Sequence, residues 1–378
     1  MRLEPSIPPE AFAAIREPIR AIAAHPIDPP VVQPLGLLLD LAGEALRERL
    51  FIVQGDGGQE SCLRTDFTLA ALQSHLDSGR ASGRYYYRGH AFRVAPPGTD
   101  RSEEFPQIGL EVFEPGDAAL LDAEMAALAW QSAAAGGRRD LTLLVGDIGL
   151  FAAFVDALDL APPLAARLKR AFSSRRRLRA EIGAAEAPPH AGAQSGERLA
   201  SLLSGLSEAA ATAVLEDIWA LAGIEPVGGR GPAEIVHRLT ERAALAASPR
   251  LTADQAQMIE RFLAIADTPD RALAAAEALV GPGHSALSAA GDSWRRRMDA
   301  MAAAGVPPER VRFSAAFGRA FGYYDGALFE VRSAALGDDQ PVAAGGRYDG
   351  LAAKLGATIK TGAVGCMVRP GRAWVGVA

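Results

Sequence analysis

The chain has 378 residues, of which 49% are hydrophobic and 22% charged, enough for a buried core and two or three domains. A formal charge of −6 argues against wholesale attraction to nucleic acid, and no apolar run reaches the roughly 18 residues that span a bilayer. The two cysteines, Cys62 and Cys366, sit in no CxxC pair or Cys/His cluster, so no metal site is expected and a reduced, cytoplasmic setting is. The opening "MRLEPSIPPEAFAAIREPIR" lacks an apolar stretch behind a basic one, which predicts no secretory signal.

The first strongly patterned segment is "LGLLLDLAGEALRERLF". Leu35, Leu38, Leu39, Ala42, Leu46 and Leu50 share one helical face, while Asp40, Glu44, Arg47 and Glu48 point elsewhere, so one amphipathic helix is predicted. "LRTDFTLAALQSHL" then places Asp66 and Thr68 just before a second helix, where short polar residues commonly cap. "RYYYRGHAFRV" and "QIGLEVF" are rich in aromatic and branched residues and predict strands. The first ends on Arg93, followed by a long loop, a place where an arginine either clamps a phosphate or carboxylate or lies solvated.

Taken as a strand, "PQIGLEVFE" puts Ile108, Leu110 and Val112 on one face and Gln107, Gly109 and Glu111 on the other. For an isolated strand the second face is more often solvated. Alternatively it floors a pocket, with Glu111 meeting an ammonium group and Gln107 orienting the ligand across the space left by Gly109.

From about 150 to 305 the pattern is almost wholly helical, broken by "EAPPHAGAQSG" and "GIEPVGGRGP". Within it "RLKRAFSSRRRLR", Arg167 to Arg179, carries seven basic residues in 13 without aromatic interleaving, which favours a solvated helix face over a nucleic-acid surface. "VGGRGPAEI" lacks the GxxxxGK[ST] spacing of a phosphate loop and predicts a turn into a helix. Strand patterns return in "VRFSAAF", "YYDGALFEVRS" and "PVAAGGR". The result is an α+β reading with an antiparallel sheet: a discontinuous core of residues 1–150 and 306–378 around a helical insertion at 151–305. Arg319, Tyr323 and Tyr324 fall within six residues, the tyrosine pair at the start of the "YYDGALFEVRS" strand pattern, where paired tyrosines usually pack in the core or rim. "GGRYDGL", Gly345 to Leu351, has the composition of a turn that cradles something small and polar.

No one of these signals is specific, but their order is. "LRTDFT", "YYYRGHAFRVAPPG…FPQIGLEVF", "GYYDGALFEV", "GGRYDGL" and "AVGCMVRPGRAWV" together resemble the catalytic domain of histidyl-tRNA synthetase, a class II aminoacyl-tRNA synthetase. The resemblance implies an antiparallel sheet flanked by helices and a dimer formed through the region around Pro34. Asp66, Thr68, Gln107 and Glu111 match the family's amino-acid-binding positions, and Arg319, Tyr323 and Tyr324 its histidine pocket. Arg93, Arg101 and Arg372 match surviving nucleotide-site arginines.

The departures lie in the nucleotide machinery. Ala95 replaces an acidic residue, Glu103 a basic one, Gly322 an aspartate, and Arg369 and Gly371 stand where a glycine and a glutamate are expected. Adenylate formation needs a triphosphate and its magnesium ions held in line by arginines and carboxylates, so these changes predict impaired catalysis. Only six residues follow Arg372, where a synthetase would continue into an anticodon-binding domain. Together with the acidic charge this argues against a tRNA partner.

A synthetase-like core of this kind is similar to the regulatory subunits of ATP phosphoribosyltransferase. That resemblance implies a non-catalytic, cofactor-free chain that assembles with a short-form catalytic subunit, activates it, and answers to histidine. The alternatives are a histidine-activating ligase with a non-tRNA acceptor and a free-standing histidine sensor.

Overall fold

The computed structural model describes residues 1–42, 44–55, 57–185, 208–222, 249–318, 322–357 and 361–376. Two compact units emerge. One comprises Met1–Leu158, Phe172–Ser174 and Glu260–Ala378, the other Asp159–Ala171 and Arg175–Ile259.

The first unit is built on a nine-stranded sheet. Its strands are β1 (His25–Ile27), β5 (Gly83–Phe92), β6 (Glu104–Phe113), β7 (Leu141–Asp147), β8 (Ala266–Asp267), β9 (Val311–Ser314), β10 (Ala327–Ser333), β11 (Ala343–Arg347) and β12 (Ala363–Val368), with spatial order β1-β5-β6-β12-β11-β10-β7-β9-β8. Pairings are antiparallel except β1 with β5 and β7 with β9, so the expected α+β sheet is present but mixed at its flanks. A small antiparallel sheet, β2 (Val32–Pro34), β4 (Glu60–Leu63) and β3 (Ile52–Gln54), lies in the same unit.

The helices of this unit are α1 (Pro9–Arg20), α2 (Leu35–Ala42), α3 (Thr68–Asp77), α4 (Ala118–Ala135) and α5 (Ile148–Asp156). The single helix expected across 35–50 is instead α2 followed by a 3-10 segment, Glu44–Arg49, with a glycine, the poorest helix former after proline, between them in sequence. Leu35, Leu38, Leu39, Leu46 and Leu50 are nonetheless all buried, so the apolar face persists through the break.

The central α4 is capped by Asp117, whose carboxylate accepts the Ala119 amide at 2.9 Å. It packs on β11 and β12 through a face rich in alanine, with Ala119, Ala123, Ala126, Ala129 and Ala133 all buried. The small residues of β11, Ala343 to Gly346, let this helix approach the sheet closely.

In the second unit α6 (Pro162–Ala171) and α7 (Arg175–Gly183) bury Leu164, Leu168, Leu178 and Ile182. The basic run falls on these helices, and Arg170, Arg175, Arg176, Arg177 and Arg179 are exposed, as a solvated face requires. Helix α8 (Glu208–Ala222) also belongs here, and α9 (Ala253–Leu263) carries the chain back toward the first unit. There α10 (Pro269–Val280) and α11 (Ser285–Ala303) pack with the sheet-bearing elements, so the helical stretch 151–305 is shared between both units. "EAPPHAGAQSG" and "VGGRGPAEI" lie outside the described residues. Among the described residues no helix is long and apolar enough to cross a membrane.

Candidate functional site

Strand pairing assembles the site. β6 lies between β5 and β12, which brings Glu111 opposite Tyr85 on one side and Gly365 on the other, across more than half the chain. The face that carries Gln107 and Glu111 is not solvated: the two residues are 0% and 2% exposed. The solvated-face reading of this strand therefore does not hold for Glu111, which lines a cavity.

Its carboxyl group is held from two directions: the Thr68 hydroxyl donates to Oε1 at 2.8 Å and the Tyr348 hydroxyl donates to Oε2. Gly365 makes room for this arrangement, because a Cβ there would overlap the Glu111 carboxyl group. Gly109 likewise leaves space on the sheet, and the Tyr87 ring from β5 fills it. Full burial raises the Glu111 pKa to about 8, with the nearby Asp66 charge adding to the effect against its hydroxyl donors.

Asp66 stands two residues before α3 and accepts the Thr68 amide at 3.2 Å, while the Thr68 hydroxyl turns to Glu111. The helix start thus serves both structure and site. Tyr323 and Tyr324 lie in the turn preceding β10 rather than within a strand, and their rings meet at 4.7 Å. The Tyr348 ring stands edge-on to both at 5.9 and 6.1 Å. Burial pushes the Tyr87, Tyr323 and Tyr348 hydroxyls well above their ordinary pKa, so all three remain proton donors.

Asp66, Thr68, Glu111, Tyr323 and Tyr324 line one cavity of about 20 Å³, together with Arg93 at its edge. That volume is about what one water molecule needs. Two carboxyl groups, hydroxyl donors and aromatic faces converge there, which is the chemistry that receives an ammonium group. Gln107 shares the strand face but does not line this cavity. Its amide contacts Met367 Sδ at 3.4 Å and its Oε1 is buried without a partner. Arg319 lies outside the described residues.

The nucleotide-site candidates Arg93, Arg101 and Arg372 come together at a second cavity of about 290 Å³, joined by Arg49 and Arg369. Arg93 and Met367 line both cavities, so the two are neighbours. Arg93 Nε donates to the Thr65 carbonyl at 3.0 Å, Arg101 pairs with Asp339, and Arg372 Nη1 donates to the Pro341 carbonyl at 3.0 Å. Burial and mutual repulsion lower the pKa of Arg369 to about 9 and of Arg372 to about 10.

"GGRYDGL" is used differently from the expected polar cradle. Gly345, Gly346 and Arg347 end β11, and only Tyr348 points its polar atom at Glu111. Arg347 turns to Asp122 and Asp349, each at 2.8 Å. Tyr348 and Tyr87 are the site residues that sequence reasoning did not single out. Among the described residues no group of three or more His, Cys, Asp or Glu is placed to hold a metal ion.

Comparison with known proteins bears on this geometry. The histidyl-tRNA synthetase family model matches residues 21–224 and 234–370. An ATP phosphoribosyltransferase regulatory subunit of Mesorhizobium japonicum is 36% identical over 363 residues, 95% of each chain. One from Brucella anthropi is 33% identical over 363 residues, 94% of this chain and 93% of its own. Among solved structures, an ATP phosphoribosyltransferase regulatory subunit/histidyl-tRNA synthetase from Bacillus halodurans superposes with a TM-score of 0.62 at 18% identity, over 97% of this chain and 79% of that one. A histidine–tRNA ligase subunit from Alicyclobacillus acidocaldarius gives 0.56 at 20% identity, over 98% and 96%. The chain belongs to the ATP phosphoribosyltransferase regulatory subunit family and has the class II fold of histidyl-tRNA synthetase.

Proposed function

We propose that this chain is the non-catalytic regulatory subunit of an ATP phosphoribosyltransferase. It assembles in the cytoplasm with the short-form catalytic subunit, activates it, and subjects the first step of histidine biosynthesis to feedback by histidine. The observation that carries this is the end-to-end likeness to regulatory subunits, 36% identity over 95% of both chains. Histidine binds at the Glu111 cavity, its ammonium against Glu111, Asp66 and Thr68 and its ring beside Tyr323 and Tyr324, with Gln107 and Arg319 as further candidates carried over from the resemblance. Arg93, Arg101 and Arg372 are inherited from a nucleotide site that no longer turns over. Self-association runs through the region of β2 and α2, where Val31 and Val32 are exposed.

The cavity explains how binding becomes a signal. A ligand shifts an equilibrium only by its difference in affinity for two states, so histidine at this cavity alters activity by binding the active and inactive assemblies unequally. The experiment is to mix the chain with a short-form catalytic subunit and follow phosphoribosyl transfer. Transfer should rise on mixing and fall when histidine is added, and Glu111→Ala should keep the activation while losing the histidine response. Absence of any activation rejects the reading.

A further inference from the structure

Three of the positions that depart from the synthetase pattern, Glu103, Arg369 and Gly371, meet one short segment of the chain. Residues 2–4 lie along the start of β6. The Glu103 and Glu104 amides donate to the Arg2 carbonyl at 2.8 and 3.1 Å, and the Glu4 amide donates to the Glu104 carbonyl at 2.9 Å. Glu103 Oε2 accepts the Arg2 amide at 2.9 Å, while its Oε1 accepts the Ala95 amide at 3.4 Å. Thus Glu103 ties the segment to the loop after β5.

The segment delivers a carboxylate. Glu4 Oε1 accepts a hydrogen bond from Arg369 Nη2, and both side chains are 6% exposed. Arg369 is stacked on Phe105 with its guanidinium carbon 3.6 Å from the ring centre. Gly371 admits the pair, because a Cβ there would stand 2.8 Å from Glu4 Cδ and Oε2. Glu4 reaches the arginine cavity through Arg369, and the carboxylates that line the cavity are already engaged: Arg101 pairs with Asp339, and Arg332 with Glu330 at 2.8 Å. The Glu4–Arg369 pair is itself incompletely bonded, since Glu4 Oε2 and Arg369 Nε are buried without partners.

We propose that Glu4 is a built-in counter-anion of the arginine cavity, held there by the Arg2–Glu4 segment, and that an external diphosphate group binds the cavity by competing with Glu4 for Arg369. A buried arginine cluster attracts phosphate strongly when no carboxylate is supplied from within. The internal carboxylate lowers that attraction and couples occupation of the cavity to release of the segment. This stands independently of whether histidine occupies the Glu111 cavity.

The test titrates the full chain with inorganic pyrophosphate, and separately with ATP, by calorimetry. Glu4→Gln removes the charge and keeps the shape. Gly371→Ala displaces the carboxylate while leaving every charge in place, and it decides the matter should Glu4→Gln fail to fold. Both variants should bind pyrophosphate at least tenfold more tightly than the natural chain. Whichever of ATP and pyrophosphate gains more identifies the source of the diphosphate. In the natural chain, saturating pyrophosphate should speed hydrogen exchange at the Glu4 amide. Equal affinity in the natural chain and the folded variants, or an unchanged Glu4 amide with pyrophosphate bound, overturns the proposal.

Discussion

Arg347 and Asp122 form a buried pair, Nε to Oδ1 at 2.8 Å, with side chains 7% and 1% exposed. The opposite oxygen of Asp122 accepts Arg297 Nε at 3.0 Å, and Arg297 Nη1 reaches Asp147 at 2.8 Å. One carboxylate therefore joins α4 and α11 to the end of β11, immediately before Tyr348. Because Arg347 is fixed in this way, the adjoining turn presents the Tyr348 hydroxyl to Glu111.

Asp122→Ala would leave two guanidinium groups buried with one of their shared carboxylates gone. Breaking a buried ion pair from one side costs about 3–5 kcal/mol, a large part of the stability of an ordinary domain. Urea unfolding of the variant should show a loss of that size. A loss below about 1 kcal/mol would mean that water reaches the cluster and that its burial does not govern its energetics.

Glu111→Gln separates charge from shape. With a pKa near 8 the native side chain is protonated at neutral pH, so a neutral amide should change stability by less than about 1 kcal/mol. Histidine binding should suffer far more, because the amide cannot become the anion that an ammonium group draws out. A charge-assisted hydrogen bond contributes about 1.5–3 kcal/mol, which corresponds to a loss of roughly 10- to 100-fold in affinity. Calorimetry checks this, and unchanged affinity would move the histidine site away from Glu111.

Most of the architecture is legible in the residues, because strands β5, β6, β9 and β10 announce themselves through local alternation and aromatic or branched side chains. The site residues on them are legible only through resemblance. Nothing local distinguishes a solvated Glu111 from a buried one, since its burial depends on β12 pairing 254 positions later in sequence at Gly365. The same limit hides the roles of the GGRYDGL residues: Arg347 finds its partner Asp122 225 positions away, and Tyr348 finds Glu111 237 positions away. Tyr87 could have been found from the pairing of two adjacent strands, where it falls opposite Gly109, whose missing side chain leaves room for the tyrosine ring. The glycine within the pattern marks the break after α2, whereas the leucine face continues through it.

The pH dependence of Glu111 has a definite sign. Its pKa rises on folding from about 4.5 to about 8, so the folded chain holds a proton that the unfolded chain gives up. The associated stability is fully present below pH 4.5 and is lost as pH rises toward 8. Thermal melts of the natural chain should therefore decline across that range relative to Glu111→Gln. Histidine binding runs the other way: its ammonium favours the carboxylate, so binding expels a proton and tightens as pH rises to about 8. Calorimetry in buffers of different ionisation enthalpy should report proton release in the natural chain that is reduced in Glu111→Gln.

Tyr348→Phe tests whether the hydroxyl network positions Glu111. The substitution removes one donor and keeps the ring that packs edge-on to Tyr323 and Tyr324. Loss of a single neutral hydrogen bond costs about 0.5–1.5 kcal/mol, or roughly 2- to 13-fold in histidine affinity. The informative quantity is the Glu111 titration. Tyr348 stabilises the charged carboxylate, so its loss should raise the Glu111 pKa further and move the pH at which histidine binding tightens upward. A purely structural tyrosine would lower affinity equally at every pH. A pH profile displaced upward in Tyr348→Phe would assign the hydroxyl to the ionisation of Glu111, whereas a profile lowered without displacement would confine Tyr348 to packing.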